Sequence, residues 1–379
     1  MPTLTHQQIV RITDVMMRAG GASAGHAGIV ADHLANANLA GYDSHGLIRV
    51  PQYLTNIEDG ELDPSVEPEV VGNHGTIIQI DGHSTFGQVV ATRATEIAIE
   101  KARDHGVSLV TMGNHTNTGR VGTYPEMAAA AGMAAIMFGG LAGGPYSTQA
   151  PFGGREARLG TNPLAMAFPH AEGAPILLDF ASSMANDGKL RVYRNKEQDL
   201  PDAWIIDKHG VPSRNPNDFF DGGAHLPVGG SQGGHKGYAL SVMIALFGGL
   251  LAQIACPARS PASPTGTVPE RIDLWAGSTI LVIDIGRMAP VEDIRTEAQQ
   301  MMRYLQDTPL MDGSTGVLFP GKRSAKNRKE RLAKGIPVDQ TTWGQVEELF
   351  DRYGVRDQLV DAVPSTERHQ GTQVRATSG

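Results

Sequence analysis

Apolar residues in the first forty positions recur close to the helical period. Ile9, Ile12, Val15 and Met16 predict a helix over 5–20 that Gly20-Gly21 stops, and Ile29, Val30, His33, Leu34 and Ala37 predict a second over 23–40 that Gly41 stops. A third is predicted to follow residue 45 and to run to about Asp59, ahead of Gly60. Near Val70 the texture changes to short apolar runs of strand type: Val70-Val71, then 77–81, 108–112, 133–138, 164–168, 176–180 and 278–285. Between the second and third runs, Val90, Ala94, Ile97, Ala98 and Ala102 mark the inner face of a helix over 87–105; another, 124–131, precedes the fourth run. Past Pro290 helices return over 291–305, 324–334 and 341–353, the last with Val346, Leu349 and Phe350 on one face. The alternation indicates an α/β layer structure. The expected organisation is a helical domain built from both chain ends, 1–70 and 290–379, flanking a central α/β domain over 71–289. A length of 379 residues suits two domains. The stretch 256–269, with four prolines, reads as a loop, and the polar tail 366–379 as disordered.

One apolar run needs a membrane test. No charge lies between Lys236 and Arg259, and 238–255 is almost wholly apolar, which reaches the lower edge for a spanning helix. It is interrupted by Gly248-Gly249, Ser241 and Gln253, and reads instead as a helix buried in a large core. The amino terminus lacks a signal-peptide core, and a lone cysteine, Cys256, permits neither an intrachain disulfide nor a Cys-based zinc site. A cytoplasmic location is the default expectation. The net charge of -8 argues against nucleic acid as a partner, so an anionic substrate would have to meet individual Arg and Lys side chains. Thirteen histidines without H-E-x-x-H or a close triad give no expectation of a metal.

Candidate chemistry is densest in Asp43-Ser44-His45-Gly46-Leu47-Ile48-Arg49-Val50-Pro51-Gln52-Tyr53. If 44–49 leads into a helix with Pro51 in its first turn, His45, Arg49 and Tyr53, four apart, fall along one side. An imidazole exchanges a proton near neutral pH. A guanidinium holds a carboxylate through two parallel hydrogen bonds, and a phenol orients either group. With Ser44 beside them, these suit reduction of a carbonyl next to a carboxylate, or the reverse oxidation. The same spacing also fits a plain helix start, capped by Asp43 or Ser44, with a solvated face.

A nicotinamide reaction would call for a dinucleotide site, yet no two glycines are separated by one residue, so G-x-G-x-x-G is excluded; the phosphate loop G-x-x-x-x-G-K-[ST] is absent too. Other stretches remain: 151–163 with Gly153-Gly154-Arg155 and Thr161-Asn162; Asp179 to Ser183 at a strand end; 229–238 with His235-Lys236; and Pro320-Gly321-Lys322. The third combines a helix start, glycines that allow close approach, and Lys236, the makings of an anion site. The stretch 114–124, with His115 and Asn117, follows a strand, a favoured ligand position.

In this order, Asp43-Ser44-His45-Gly46, Gly153-Gly154-Arg155 with Leu159-Gly160-Thr161-Asn162-Pro163, Gly234-His235-Lys236-Gly237-Tyr238 and Gly335-Ile336-Pro337 resemble the malate/L-lactate dehydrogenase family of NAD(P)-dependent oxidoreductases. That group, distinct from Rossmann-fold lactate dehydrogenases, includes ureidoglycolate, sulfolactate and diketogulonate-type enzymes. The resemblance covers roughly 4–355. It implies a mixed-sheet cofactor domain, hydride exchange between NAD or NADP and a small 2-hydroxy or 2-oxo acid, and a homodimer with the active site near the subunit interface. By resemblance His45 is the proton donor or acceptor and Arg49 holds the substrate carboxylate. Asp179, Ser182, Ser183, His235, Lys236, Pro320, Gly321 and Lys322 would line the cofactor, with Thr161 and Asn162 at the junction of the two sites. Two positions depart from the family pattern. Asn117 stands where many members carry histidine ahead of Gly119, Gly122 and Tyr124, and it cannot take a proton at neutral pH. Either His115 serves from two residues away, or His45 alone handles the proton. Lys322 replaces the usual glutamate and would favour an extra phosphate, hence NADP. A cyclic imine acid reductase uses the same scaffold, and Asn117 also admits a catalytically silent relative that retains the cofactor site.

Overall fold

The computed structural model describes residues 1–252 and 274–363. Cys256, the proline-rich stretch 256–269 and the tail 366–379 lie outside the described residues.

One unit comprises Met1–Val66 with the described part of Arg323–Gly379. Helix α1 (His6–Ala19) starts at Thr5, whose hydroxyl accepts from Gln8 N at 3.1 Å while Thr5 N donates to Gln8 Oε1 at 2.8 Å. This reciprocal cap satisfies donors that the first turn leaves open. Helix α2 (Ala24–Ala40) ends where Gly41 turns left-handed at φ 88°, a conformation glycine adopts without strain. Ile9, Ile12, Val15 and Met16 are buried, as their period requires, with Val30, His33, Leu34 and Ala37 from α2. The chain ends are stitched together by antiparallel pairing of Thr3–Leu4 with Ile336–Pro337. The carboxyl-terminal helix Gln340–Arg352 buries Trp343, Val346 and Phe350.

The second unit, Glu67–Lys322, is built on a seven-stranded sheet. Its strands are β1 (Glu69–His74), β2 (Ile77–Asp81), β3 (Val107–Gly113), β4 (Ala134–Gly143), β5 (Pro163–Phe168), β6 (Ile176–Ala181) and β7 (Leu274–Ile283). They lie in the order β1-β2-β3-β7-β4-β5-β6. Only β2 and β3 run parallel, joined by helix α4 (Gly87–His105), and every other neighbouring pair is antiparallel. The fold is therefore a mixed sheet, as expected, and not a doubly wound parallel one. Val90, Ala94, Ala98 and Ala102 of α4 pack with Ile78, Ile80, Val110, Met112, Ile280 and Val282.

Helix α6 (Gly230–Ile244; α5 is Thr123–Ala130) continues through a π-helical turn, Ala245–Leu250. Here the glycines have a clear purpose. A Cβ on Gly140 of β4 would lie 2.4 Å from Gly249 N, and one on Gly248 would lie 2.5 Å from Gly140 N, so helix and strand approach backbone to backbone. The expectation of a helix buried in a large core holds for one face only. One face lies on the sheet, while Met243 (47%), Leu246 (41%), Phe247 (42%) and Leu251 (39%) remain exposed. Among the described residues no helix is long and apolar enough to cross a membrane. Helix α7 (Val291–Gln306) belongs with the sheet unit, whereas the periodicity alone had grouped it with the chain ends. Its Arg295 donates to the His170 carbonyl at 3.1 and 3.2 Å.

Candidate active site

In the first unit the His45 motif forms two single turns, Asp43–His45 and Leu47–Arg49, followed by helix α3 (Val50–Glu58) with Pro51 in its first turn. Gly46 between the turns is extended (φ -101°, ψ -146°). His45 is therefore on a different turn from Arg49 and Tyr53, and the single helical stripe anticipated from spacing does not form. Ser44 brings the two principal groups together instead. Its hydroxyl lies 3.0 Å from His45 Nδ1, and its carbonyl accepts from Arg49 Nε at 2.6 Å. Gln52 Oε1 accepts from Arg49 Nη1 at 2.6 Å. His45 and Arg49 are half-buried, and Tyr53 is 1% exposed, turned into the interior of its unit. Tyr53 thus contributes to the core of its unit.

In the second unit, His115 follows β3. Its Nδ1–H donates to the Thr116 carbonyl at 2.7 Å. Burial pushes its pKa below the ordinary value, against the pull of the Thr116 and Met112 backbone, so the ring is held neutral and committed to its own loop. Asn117 is exposed and uses Oδ1 to accept from Gly119 N at 2.8 Å, closing a local turn. Three residues on stands a group that spacing did not single out. Arg120, 2% exposed, reaches Glu126 Oε2 at 2.7 Å and Asp179 Oδ2 at 3.3 Å. Burial raises the Asp179 carboxyl pKa, and the Arg120 guanidinium opposes the rise. Asp179 is therefore held inside by an ion pair, at 8% side-chain exposure, and does not line an open surface. An arginine between Gly119 and Gly122 was the available signal; its acidic partners, 6 and 59 positions away, gave none.

Other predicted cofactor residues make hydrogen bonds within the second unit. Asn162 (φ 39°, 1% exposed) accepts from Leu141 N at 2.9 Å and donates to the Ser241 carbonyl and hydroxyl at 3.0 and 3.1 Å. These bonds lock strand to helix and occupy the whole amide. Ser182 donates through N and Oγ to the Thr161 carbonyl at 2.8 and 3.1 Å, and Ser183 donates to the Ala185 carbonyl at 2.6 Å. Both serines are buried and Thr161 is half-buried. Val228 N bonds to the Ser182 carbonyl at 2.8 Å and Gly230 N to the Pro227 carbonyl at 2.9 Å, so the same region runs into α6. Because α6 begins at Gly230, His235 and Lys236 stand in its second turn. Both are exposed, and the Phe152 ring meets His235 edge-on at 5.8 Å.

Thr161, Ser182, Ser183 and His235 are thus joined through one chain of contacts. The Pro320 carbonyl accepts from Leu177 N at 3.1 Å, and Gly321 (φ 91°) packs on the same residue. Leu177 and Ser182 are separated by five steps of extended chain, roughly 16 Å, so Pro320-Gly321-Lys322 stands beside the far end of β6. Lys322 Nζ lies 5.3 Å from the Phe319 ring centre. His235, Lys236 and Lys322 supply positive or hydrogen-bonding groups, and a Cβ added at Gly153 or Gly233 would meet no described atom within 4 Å. Among the described residues no three His, Cys, Asp or Glu side chains gather as a metal set.

Comparison with known proteins bears on both units. The malate/L-lactate dehydrogenase family model matches residues 4–347. The hydroxycarboxylate dehydrogenase B of Escherichia coli is 34% identical over 358 residues, covering 94% of this chain and 96% of the relative. The L-lactate dehydrogenase of Cupriavidus necator is 35% identical over 329 residues, covering 86% and 90%. The solved malate dehydrogenase of Pyrococcus horikoshii superposes with a TM-score of 0.82 at 29% identity, covering 93% of this chain and 96% of that one. The motifs read from sequence, the mixed sheet and these matches agree: the chain belongs to the malate/L-lactate dehydrogenase family.

Proposed function

We propose that this protein is an NAD- or NADP-dependent oxidoreductase that interconverts small 2-hydroxy acids and the matching 2-oxo acids. One observation carries the reading: Ser44 binds the imidazole of His45 and the guanidinium of Arg49 at once, which holds a proton carrier and a carboxylate clamp side by side. In the oxidative direction the substrate hydroxyl gives its proton to His45 Nε2, the ring nitrogen that Ser44 does not hold. Bound nicotinamide supplies the acceptor for the hydride leaving the substrate's second carbon. Arg49 keeps the carboxylate in place, with Gln52 steadying the guanidinium. Thr161, His235 and Lys236 hold the nucleotide, while Asp179, Ser182, Ser183 and Asn162 maintain the backbone beneath them. Pro320, Gly321 and Lys322 take its other end, and Lys322 favours the additional phosphate of NADP. His115 Nδ1 is engaged with the Thr116 carbonyl and Asn117 Oδ1 with Gly119 N, and the proton is assigned to His45.

The test is a panel of 2-oxo acids and one cyclic imine acid, each with NADH and NADPH, followed by nicotinamide absorbance. Turnover of 2-oxo acids, faster with NADPH, is the expected result. Nucleotide binding without turnover of any substrate would replace this reading with that of a silent relative. Arg49→Leu is expected to raise KM for the acid by about 10–100-fold, since a hydrogen bond to a charged group contributes roughly 1.5–3 kcal/mol. An unaltered KM would reject the clamp.

We further propose that the protein works as a cytoplasmic homodimer. The support is the apolar face that α6 and its continuation leave exposed at Met243, Leu246, Phe247 and Leu251. Sedimentation at micromolar concentration should give twice the chain mass; a monomer alone would contradict it.

A further inference from the structure

The turn that carries His45 is gripped from behind by side chains of its own unit. Arg331, on the helix Lys322–Lys334, reaches Asp43 with both terminal nitrogens, Nη1 to Oδ1 at 2.6 Å and Nη2 to Oδ2 at 3.0 Å. The same Nη1 donates to the carbonyl of Asn38, near the end of α2. Asn38 is 4% exposed and works on both sides of the turn. Its Nδ2 donates to Asp43 Oδ1 at 2.8 Å, and its Oδ1 accepts from Leu47 N at 2.8 Å. Gly46 lies directly against it: a Cβ there would sit 2.1 Å from Asn38 Oδ1. The five residues from Asp43 to Leu47 are therefore fastened at both ends to one amide, and His45 is in the middle. Asn327 and Arg328, on the same helix as Arg331, donate to the Ala40 carbonyl at 3.3 Å and to Asn36 Oδ1 at 3.2 Å. Cations there also complement the negative end of the α2 dipole.

We propose that Arg331 and Asn38 are positioning residues for proton transfer: they set the place of His45 and touch neither substrate nor cofactor. The proposal rests on reading His45 as the proton carrier. The two-point Arg331–Asp43 bond fixes orientation as well as distance, which a lysine, with a single point charge, would do less well. Its purpose is geometric. Partly exposed ion pairs add little stability, whereas a displacement of about 1 Å at a reacting group is able to cost about 100-fold in rate.

The experiment measures kcat, KM for the acid, KM for the nucleotide and thermal midpoint for Arg331→Met, Arg331→Lys, Asp43→Asn and the double variant Arg331→Met/Asp43→Asn. Folded Arg331→Met is expected to lose about 10–100-fold in kcat with both KM values within about threefold, since position and not ground-state binding is disturbed. Arg331→Lys should recover part of the loss. The double variant should lose no more than the worse single one, because both act through one bond. Should Arg331→Met fail to fold, isosteric Asp43→Asn interrogates the same contact. Wild-type kcat in folded Arg331→Met or Asp43→Asn, a rise in KM alone, or independent losses in the double variant would overturn the proposal. His45→Ala, assayed alongside, separates the two readings. If it keeps full turnover, the proton-carrier reading fails and this one with it. If it loses turnover while Arg331→Met and Asp43→Asn do not, only the positioning role is lost.

Discussion

His45→Ala is expected to lower turnover by about 10²–10⁴, the usual contribution of a placed general acid or base. Nucleotide affinity should stay near the wild-type value, because the groups proposed to hold the nucleotide, Thr161, His235 and Lys236, belong to the other unit. The thermal midpoint should move little. His45 is half-buried, so alanine opens no large cavity. The decisive measurement is single-turnover reduction of a 2-oxo acid beside a nucleotide titration. Unchanged turnover would remove His45 from the mechanism. Loss of nucleotide binding would instead show that the ring supports the cofactor.

Arg120→Met should be among the most destabilising single substitutions in the protein, by roughly 3–5 kcal/mol at pH 7.5, the range for stripping one partner from a buried ion pair. Arg120 has 1% side-chain exposure and serves two carboxylates. Glu126, at 23%, can turn to water, whereas Asp179, at 8%, cannot. Burial already pushes the Asp179 pKa above its ordinary 3.8, with Arg120 as the opposing influence. Without the guanidinium, Asp179 takes up a proton before it tolerates a bare charge inside. The sign follows. A carboxyl whose pKa is raised by folding lowers stability as pH climbs from the unfolded value through the folded one, so the variant's deficit grows toward neutral pH and shrinks in acid. Urea unfolding at pH 5 and pH 7.5 reads this directly. A deficit that is absent, or equal at both pH values, would contradict the ion-pair account. Adding Asp179→Asn to Arg120→Met should restore part of the stability, since an amide needs no countercharge.

Local pattern made much of the architecture legible. The helix read over 87–105 and the strand read over 77–81 have those same limits in the structure, because each is set by its own apolar period and by glycine or turn residues at its ends. The His45 motif was legible as chemistry and misleading as geometry: a four-residue spacing implied one continuous helix, and extended Gly46 divides it. Tyr53 shares the spacing and is buried, which spacing alone does not show.

The amino-acid sequence by itself determined the principal helices of both chain ends and the seven strands of the large sheet, that no glycine fingerprint of the Rossmann type is present, and that a histidine and an arginine stand within a few residues of Ser44. These are short-range properties, written within a few residues of one another. Only the tertiary structure decided that β7 inserts between β3 and β4, that Asn162 is consumed by Ser241 79 positions away, that Arg120 anchors Asp179, and that Arg331 grips Asp43 across 288 positions. A period tells which face of an element is apolar. It says nothing about which distant backbone or charge will cover that face, because the partner is chosen by the closure of the whole chain.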